Sequence, residues 1–206
     1  MNVRWIPLLM VCGGALLTAG CDGGPTGGEG GADRQVACTG DSQVPIGGAF
    51  TLVDHRGDTV TEDVLAGRHS LIYFGFTHCP DVCPTELSRM TQALDLIEDG
   101  RDGGLTGLKP VFVTVDPARD TVDVMANYIS LFHPAFVGLT GTEDQIAKAA
   151  DTFNIYYSIP DDRAGGDYNV DHASMIYFLG PEGHYITHFT RDDSPEAIAE
   201  RVRPCL

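Results

Sequence analysis

The stretch "HSLIYFGFTHCPDVCPTELSRMTQALDLIED", His69 to Asp99, decides how the rest of the chain is read. Its first part, "HSLIYFGF" (69–76), is a continuous apolar run rich in aromatic and aliphatic side chains, the mark of a strand buried on both faces. Its last part places Leu87, Met90, Leu94 and Ile97 at helical spacing, which predicts a helix over 85–99. Between strand and helix stand Cys79 and Cys83, spaced C-x-x-x-C and followed by Pro80 and Pro84. Open α/β sheets place their chemistry at the carboxyl ends of strands. A helix entrance there offers backbone N–H groups and a dipole that favour thiolates. Positions i and i+4 lie one turn apart, so both sulfurs can face the same side.

Outward from this junction the strands and helices alternate. "AFTLVDHRGDTV" (49–60) reads as a hairpin, and "LKPVFVTVD" (108–116) as a second buried strand. "TVDVMANYISLF" (121–132) reads as a helix and "FVGLTG" (136–141) as a short strand. Thr142 and Gln145 form a capping-box pattern, which starts a helix running to about Phe153. "DDRAGGDYNVDH" (161–172) reads as a loop, and "ASMIYFLGPEGHYITHFT" (173–190) as a hairpin turning at Pro181–Gly183. Ser194 then caps a last helix with Pro195 at its first position. The expected fold is a thioredoxin-like α/β sandwich with an N-terminal β-hairpin and a C-terminal hairpin plus helix.

The front of the chain has another character. "MNVRWIPLLMVCGGALLTAGC" carries one early positive charge, Arg4, then an apolar run broken by Gly13-Gly14 and small residues closing on Cys21. That pattern suits a signal peptide over 1–20 better than a membrane-spanning helix. "LTAGC" resembles a bacterial lipobox, with Thr18 where Leu is commonest, and makes Cys21 the expected lipidation site. Asp22 directly after it favours retention at the inner membrane. Residues 22–37, "DGGPTGGEGGADRQVA", have no apolar period and read as a Gly-rich tether spanning roughly 20–24 Å root-mean-square. The organisation expected is therefore 1–20 signal, 21–37 lipidated cysteine and tether, and 38–206 folded domain.

The 206 residues are 43% hydrophobic and 20% charged, enough for one domain with a proper core. Removing residues 1–20 takes away Arg4 only and leaves 12 basic against 29 acidic residues, a net charge of −17. So acidic a chain argues against nucleic acid and against electrostatic docking on anionic lipid. Of the six cysteines, Cys12 leaves with the signal, Cys21 is the lipidation candidate, and Cys79 and Cys83 form the pair above. Cys38 and Cys205 remain, one at each end of the domain, and are expected to form a disulfide in an oxidising compartment.

The pair Cys79 and Cys83 suits two chemistries. A disulfide needs sulfurs about 2.05 Å apart. Two thiolates on a trigonal metal, each about 2.3 Å from it, stand roughly 4 Å apart. The three-residue spacer accommodates the wider gap and can close to the narrower one, and the two states exclude each other at any moment. A metal would need a third ligand. His55, His69, His133, His184 and His188 read as surface or packing residues, and His78 adjoins Cys79 with its side chain pointing away. His172 stands just before a strand expected beside the cysteine strand, and is the best candidate by position. Thiolates plus imidazole suit copper, and the same set with an open position is also a zinc pattern. Met90 and Met125 fall on apolar helix faces, so a methionine-rich copper store is not indicated. The segment also lacks the threonine–cysteine arrangement of a peroxidase, although Thr77 is close.

"FGFTHCPDVCPTELSRM", "VFVTVDPARDT" and "VDHASMIYF" together resemble the Sco/SenC family of copper-binding proteins, and "GLTGT" and "FTLVDHRGDTV" match as well. The resemblance covers about residues 45–190. It implies a thioredoxin-like fold, membrane anchorage, and one copper, as Cu(I) or Cu(II), held by Cys79, Cys83 and His172. It implies a supporting, non-ligating role for Asp116. It further implies delivery of copper to the dinuclear site of cytochrome c oxidase subunit II, or reduction of that site's cysteines beforehand. Other periplasmic copper carriers are admitted as partners. The expected location is the periplasmic side of the bacterial inner membrane, through the lipid anchor. Two functions thus stand side by side: a copper metallochaperone, and a thiol–disulfide oxidoreductase.

Overall fold

The structure is a computed structural model that describes Cys38, residues 44–162 and residues 168–206. The signal segment, Cys21 and the tether lie outside the described residues. Among the described residues, nine strands and four α-helices of eight residues or more follow in order. They are β1 (Thr51–Asp54), β2 (Thr59–Thr61), β3 (His69–Gly75), α1 (Val82–Asp99), β4 (Leu108–Thr114), α2 (Val122–Ile129) and β5 (Val137–Thr140), then α3 (Glu143–Thr152), β6 (Tyr157–Ser158), β7 (Asp171–His172), β8 (Ile176–Leu179), β9 (Tyr185–Phe189) and α4 (Pro195–Val202).

Seven strands form one sheet in the order β2-β1-β5-β4-β3-β8-β9. β3, β4 and β5 run parallel, and antiparallel strands flank them on both sides. β3 sits near the middle and every one of its seven residues is buried, as its unbroken apolar run requires. Ile72, Phe74, Val111 and Val113 face one side, where they meet Phe50, Ala149 and Phe153. Tyr73 pairs with Phe112 on the other side, stacked at 6.3 Å, and Tyr128 of α2 leans on Phe112 at 5.5 Å. The sheet is therefore covered on both faces, the thioredoxin-like sandwich expected.

The helix termini follow their sequence signals. Thr142 and Gln145 exchange both bonds of a capping box at α3. Ser194 caps α4 with Pro195 at its first turn. Two boundaries differ: α2 ends at Ile129, short of the expected Phe132, and α1 starts at Val82, not Thr85, so Cys83 lies inside its first turn. Pro84 permits this because the first N–H groups of a helix have no intrahelical partner to lose. The segment read as a loop before His172 also gains structure, since β7 pairs with β6 by Tyr157↔His172 and Ser158↔Asp171. Two-residue strands carry no period, so the sequence could not announce them.

Cys38 and Cys205 are joined by a disulfide across a separation of 167 residues. Nearby, Arg203 Nη2 donates to the Leu96 carbonyl at 2.7 Å, and Leu206 approaches Gly107, whose carbonyl accepts the amide of His69 at the start of β3. The disulfide thus closes the end of the sheet opposite the carboxyl ends of β3 and β4.

Candidate metal centre

β3 ends at Gly75 and the chain crosses from Phe76 to Asp81 before entering α1. This crossing is held by a buried carboxylate. Asp120, fully buried, accepts the Thr77 amide at 3.0 Å, the Thr77 hydroxyl at 2.6 Å and the Thr114 hydroxyl at 2.6 Å. Burial pushes its pKa up, against the lowering effect of Thr114 and Thr77. Two residues after Thr77 comes Cys79, half-buried, and within the first turn comes Cys83, fully buried.

The amide of Cys83 donates to Cys79 Sγ at 3.3 Å, which brings one unpaired N–H of the helix entrance onto the sulfur. Cys83 Sγ lies over Gly75: a Cβ added there would stand 2.8 Å from that sulfur, closer than real contacts allow. Only glycine admits the thiol at this height, so Gly75 is a site residue that the sequence reading missed. A glycine inside a buried strand was the available signal.

His172 arrives from the far side on β7. Its Nε2 is 3.4 Å from Cys83 Sγ. Cys79, Cys83 and His172 place one ligand atom each within 4.8 Å of one another. Trigonal ligation needs neighbouring donors roughly 3.7–4 Å apart, so the set fits a metal with small adjustment. The proton count fits as well. Nδ1 of His172 is 2.9 Å from the Ala173 carbonyl, which can only accept, so Nδ1 carries the hydrogen and Nε2 presents its lone pair to the sulfurs. Burial lowers the imidazole pKa and keeps the ring neutral. Burial also raises the Cys83 thiol well above its ordinary range, so the metal-free site holds it protonated and a metal must displace that proton. Tyr73 closes the floor, with its hydroxyl 3.8 Å from Cys83 Sγ and 3.4 Å from Ser174 Oγ. A cleft of about 430 Å³, lined by Phe76, Cys79, Pro80, Val82, Val170 and His172 among others, opens the site to solvent.

Asp116 is not part of that cluster. Its two carboxylate oxygens are taken by Arg119 Nε at 2.5 Å and by the Tyr168 hydroxyl at 2.7 Å. His78 also stands outside the set, with Nδ1 3.1 Å from Thr77 Oγ1 and 3.6 Å from Asp120. His69 stacks on Phe178 at 5.4 Å, and His55 accepts the Gly138 amide.

A second cluster, Asp95, Glu98 and His133, also brings one potential ligand atom each within 4.8 Å of one another. Its tautomer is wrong. His133 Nδ1 accepts the Ala135 amide at 3.1 Å, so the hydrogen sits on Nε2 and points at Glu98, 3.3 Å away. No lone pair faces the carboxylates, and the contact is an ordinary hydrogen bond, in keeping with the packing role expected of His133.

A thioredoxin-like sheet with two cysteines at a strand–helix junction and a histidine opposite defines a class of metal-binding thiol proteins. The SCO1/SenC family model matches residues 39–206, and the chain belongs to that family. It is 42% identical over 168 residues to a SCO2-like protein of Rickettsia felis, covering 79% of this chain and 78% of that protein. It is 43% identical over 162 residues to the mitochondrial SCO2 homolog of Homo sapiens, covering 78% of this chain and 60% of that one. The crystal structure of yeast Sco1 with copper bound superposes with a TM-score of 0.71 at 39% identity, covering 76% of this chain and 86% of that chain. Bradyrhizobium japonicum ScoI with copper bound gives a TM-score of 0.70 at 37% identity, covering 78% and 99%.

Proposed function

We propose that this domain is a copper carrier in which the thiolates of Cys79 and Cys83 and Nε2 of His172 hold one copper ion and pass it to the dinuclear copper site of cytochrome c oxidase subunit II. The observation that carries the reading is the convergence of two sulfurs with an imidazole lone pair, a soft donor set with room for an incoming ligand. Relatives whose structures contain copper support the choice of metal. Cys83, fully buried, supplies a shielded donor, while half-buried Cys79 faces the cleft through which a partner's ligands would enter. Loading releases the Cys83 proton, so capture strengthens as pH rises.

The proposal includes the chain's placement. Residues 1–20 are removed as a signal, Cys21 is lipidated, and residues 22–37 tether the 38–206 domain to the periplasmic face of the inner membrane. Among the described residues no helix is long and apolar enough to cross a membrane.

One observation favours a second reading, reduction of a client's cysteines. Cys79 is half-buried at a helix entrance and Cys83 lies behind it, an arrangement in which an outer thiolate attacks and an inner one resolves the mixed disulfide. Oxidase activity in a deletion strain separates the two. Copper delivery requires Cys79→Ser, Cys83→Ser and His172→Ala all to fail. Thiol reduction requires both serine variants to fail and His172→Ala to work nearly normally.

A further inference from the structure

The turn Asp116–Asp120 touches both halves of the metal centre without contributing a ligand. At its end, Asp120 grips Thr77, two residues before Cys79. At its start, Asp116 grips Tyr168, four residues before His172. Asp116 is itself fixed: it is fully buried, its amide donates to Thr114 Oγ1 at 2.9 Å, and its carbonyl accepts the amides of Arg119 and Asp120. The Arg119 guanidinium, paired with Asp116, lies over the Tyr168 ring at 3.6 Å from the centroid, and 5.7 Å from that of Phe76. Phe76 in turn meets the His172 ring edge-on at 5.7 Å. A planar cation stacked on the ring and a charged acceptor on the hydroxyl hold Tyr168 at both ends.

From Tyr168 the chain has little freedom before the imidazole. Val170 is buried in the core, and His172 pairs with Tyr157. We propose that Tyr168 is a positioning residue for His172, and that the Asp116–Asp120 turn sets the separation of imidazole and thiols by holding Tyr168 at one end and Thr77 at the other. The inference deepens the copper-carrier reading and rests on it for its functional meaning. A ligand pair spread over two distant segments needs one rigid element that both segments touch, and this turn is that element.

The test uses Tyr168→Phe, which removes the hydroxyl and keeps the ring under Arg119. Tyr156→Phe, at an exposed ring, is the control. In the apo protein, amide exchange at residues 171–173, including the Ala173 amide that donates to the Tyr156 carbonyl, is expected to quicken about tenfold in Tyr168→Phe and to stay unchanged in the control. After loading with Cu(II), affinity is expected to fall about tenfold, with an altered nitrogen signature in the electron paramagnetic resonance spectrum. Cu(I) held by the two thiolates is expected to change by less than about twofold, because the Thr77–Asp120 end of the turn, which positions the cysteine segment, is untouched. Unchanged exchange overturns the latch. Faster exchange with an unchanged Cu(II) spectrum, where His172→Ala does alter that spectrum, overturns the positioning role. If His172→Ala leaves the Cu(II) spectrum untouched, the copper-carrier reading fails, and exchange at 171–173 alone judges the latch.

Discussion

Cys83 Sγ and His172 Nε2 lie 3.4 Å apart although 89 positions separate them in the chain. Their approach depends on Gly75 beneath the sulfur. Gly75→Ala puts a methyl group 2.8 Å from Cys83 Sγ, with Tyr73 and Phe112 close on either side. The expected cost is about 1–3 kcal/mol of overpacking, with a shifted sulfur and an altered copper spectrum. Thermal unfolding and the spectrum of the loaded protein check both. A variant as stable as wild type with an unchanged spectrum would refute the close approach.

Asp120 predicts a pH effect on apo stability. Burial raises its folded pKa above the ordinary 3.8, so the folded state prefers the neutral form. Its stabilisation is then full below that ordinary value and diminishes as pH rises through the folded value. Asp120→Asn should destabilise by about 1–3 kcal/mol at acid pH, and the gap to wild type should narrow as pH rises. Denaturant titrations of both proteins from pH 4 upward would expose a widening gap, which the account forbids.

The disulfide between Cys38 and Cys205 closes a loop spanning 167 positions. In the chain-entropy model it stabilises the fold by up to about 5 kcal/mol. Cys205→Ser should lower the unfolding midpoint accordingly and leave copper binding intact, because the bridge sits at the end of the sheet away from the metal centre. Loss of copper binding in a folded Cys205→Ser protein would contradict that separation.

Cys21 should carry lipid. Wild-type protein is expected to take up a labelled fatty acid and to sediment with membranes, and Cys21→Ser to take up none and appear in the soluble fraction. Retention of the unlabelled serine variant on membranes would remove the lipid anchor from the account.

How far the sequence reached depended on the range of each interaction. β3 and α1 were legible because burial on both faces and a 3.6-residue period leave long local patterns. The caps at Thr142 and Ser194 were legible because both partners lie within one turn. Cys79 and Cys83 announced themselves by spacing, and His172 by standing before a strand. The start of α1 was read three residues late because two prolines mask a first turn that tolerates them. The ties Thr77–Asp120 and Tyr168–Asp116 were invisible, being single hydrogen-bonded pairs 43 and 52 positions apart. Asp116 drew notice only through the family resemblance, and what it holds became apparent only from geometry.

The central claim is that one copper is held by two sulfurs and one nitrogen. X-ray absorption at the copper edge, on reduced protein loaded anaerobically and then oxidised to Cu(II), tests it most directly. The account predicts one copper per chain with two sulfur neighbours and the imidazole of His172, loss of that imidazole in His172→Ala, and no bound copper once Cys79 and Cys83 are oxidised to a disulfide. An imidazole signal that persists in His172→Ala, or full loading of the disulfide form, would contradict it.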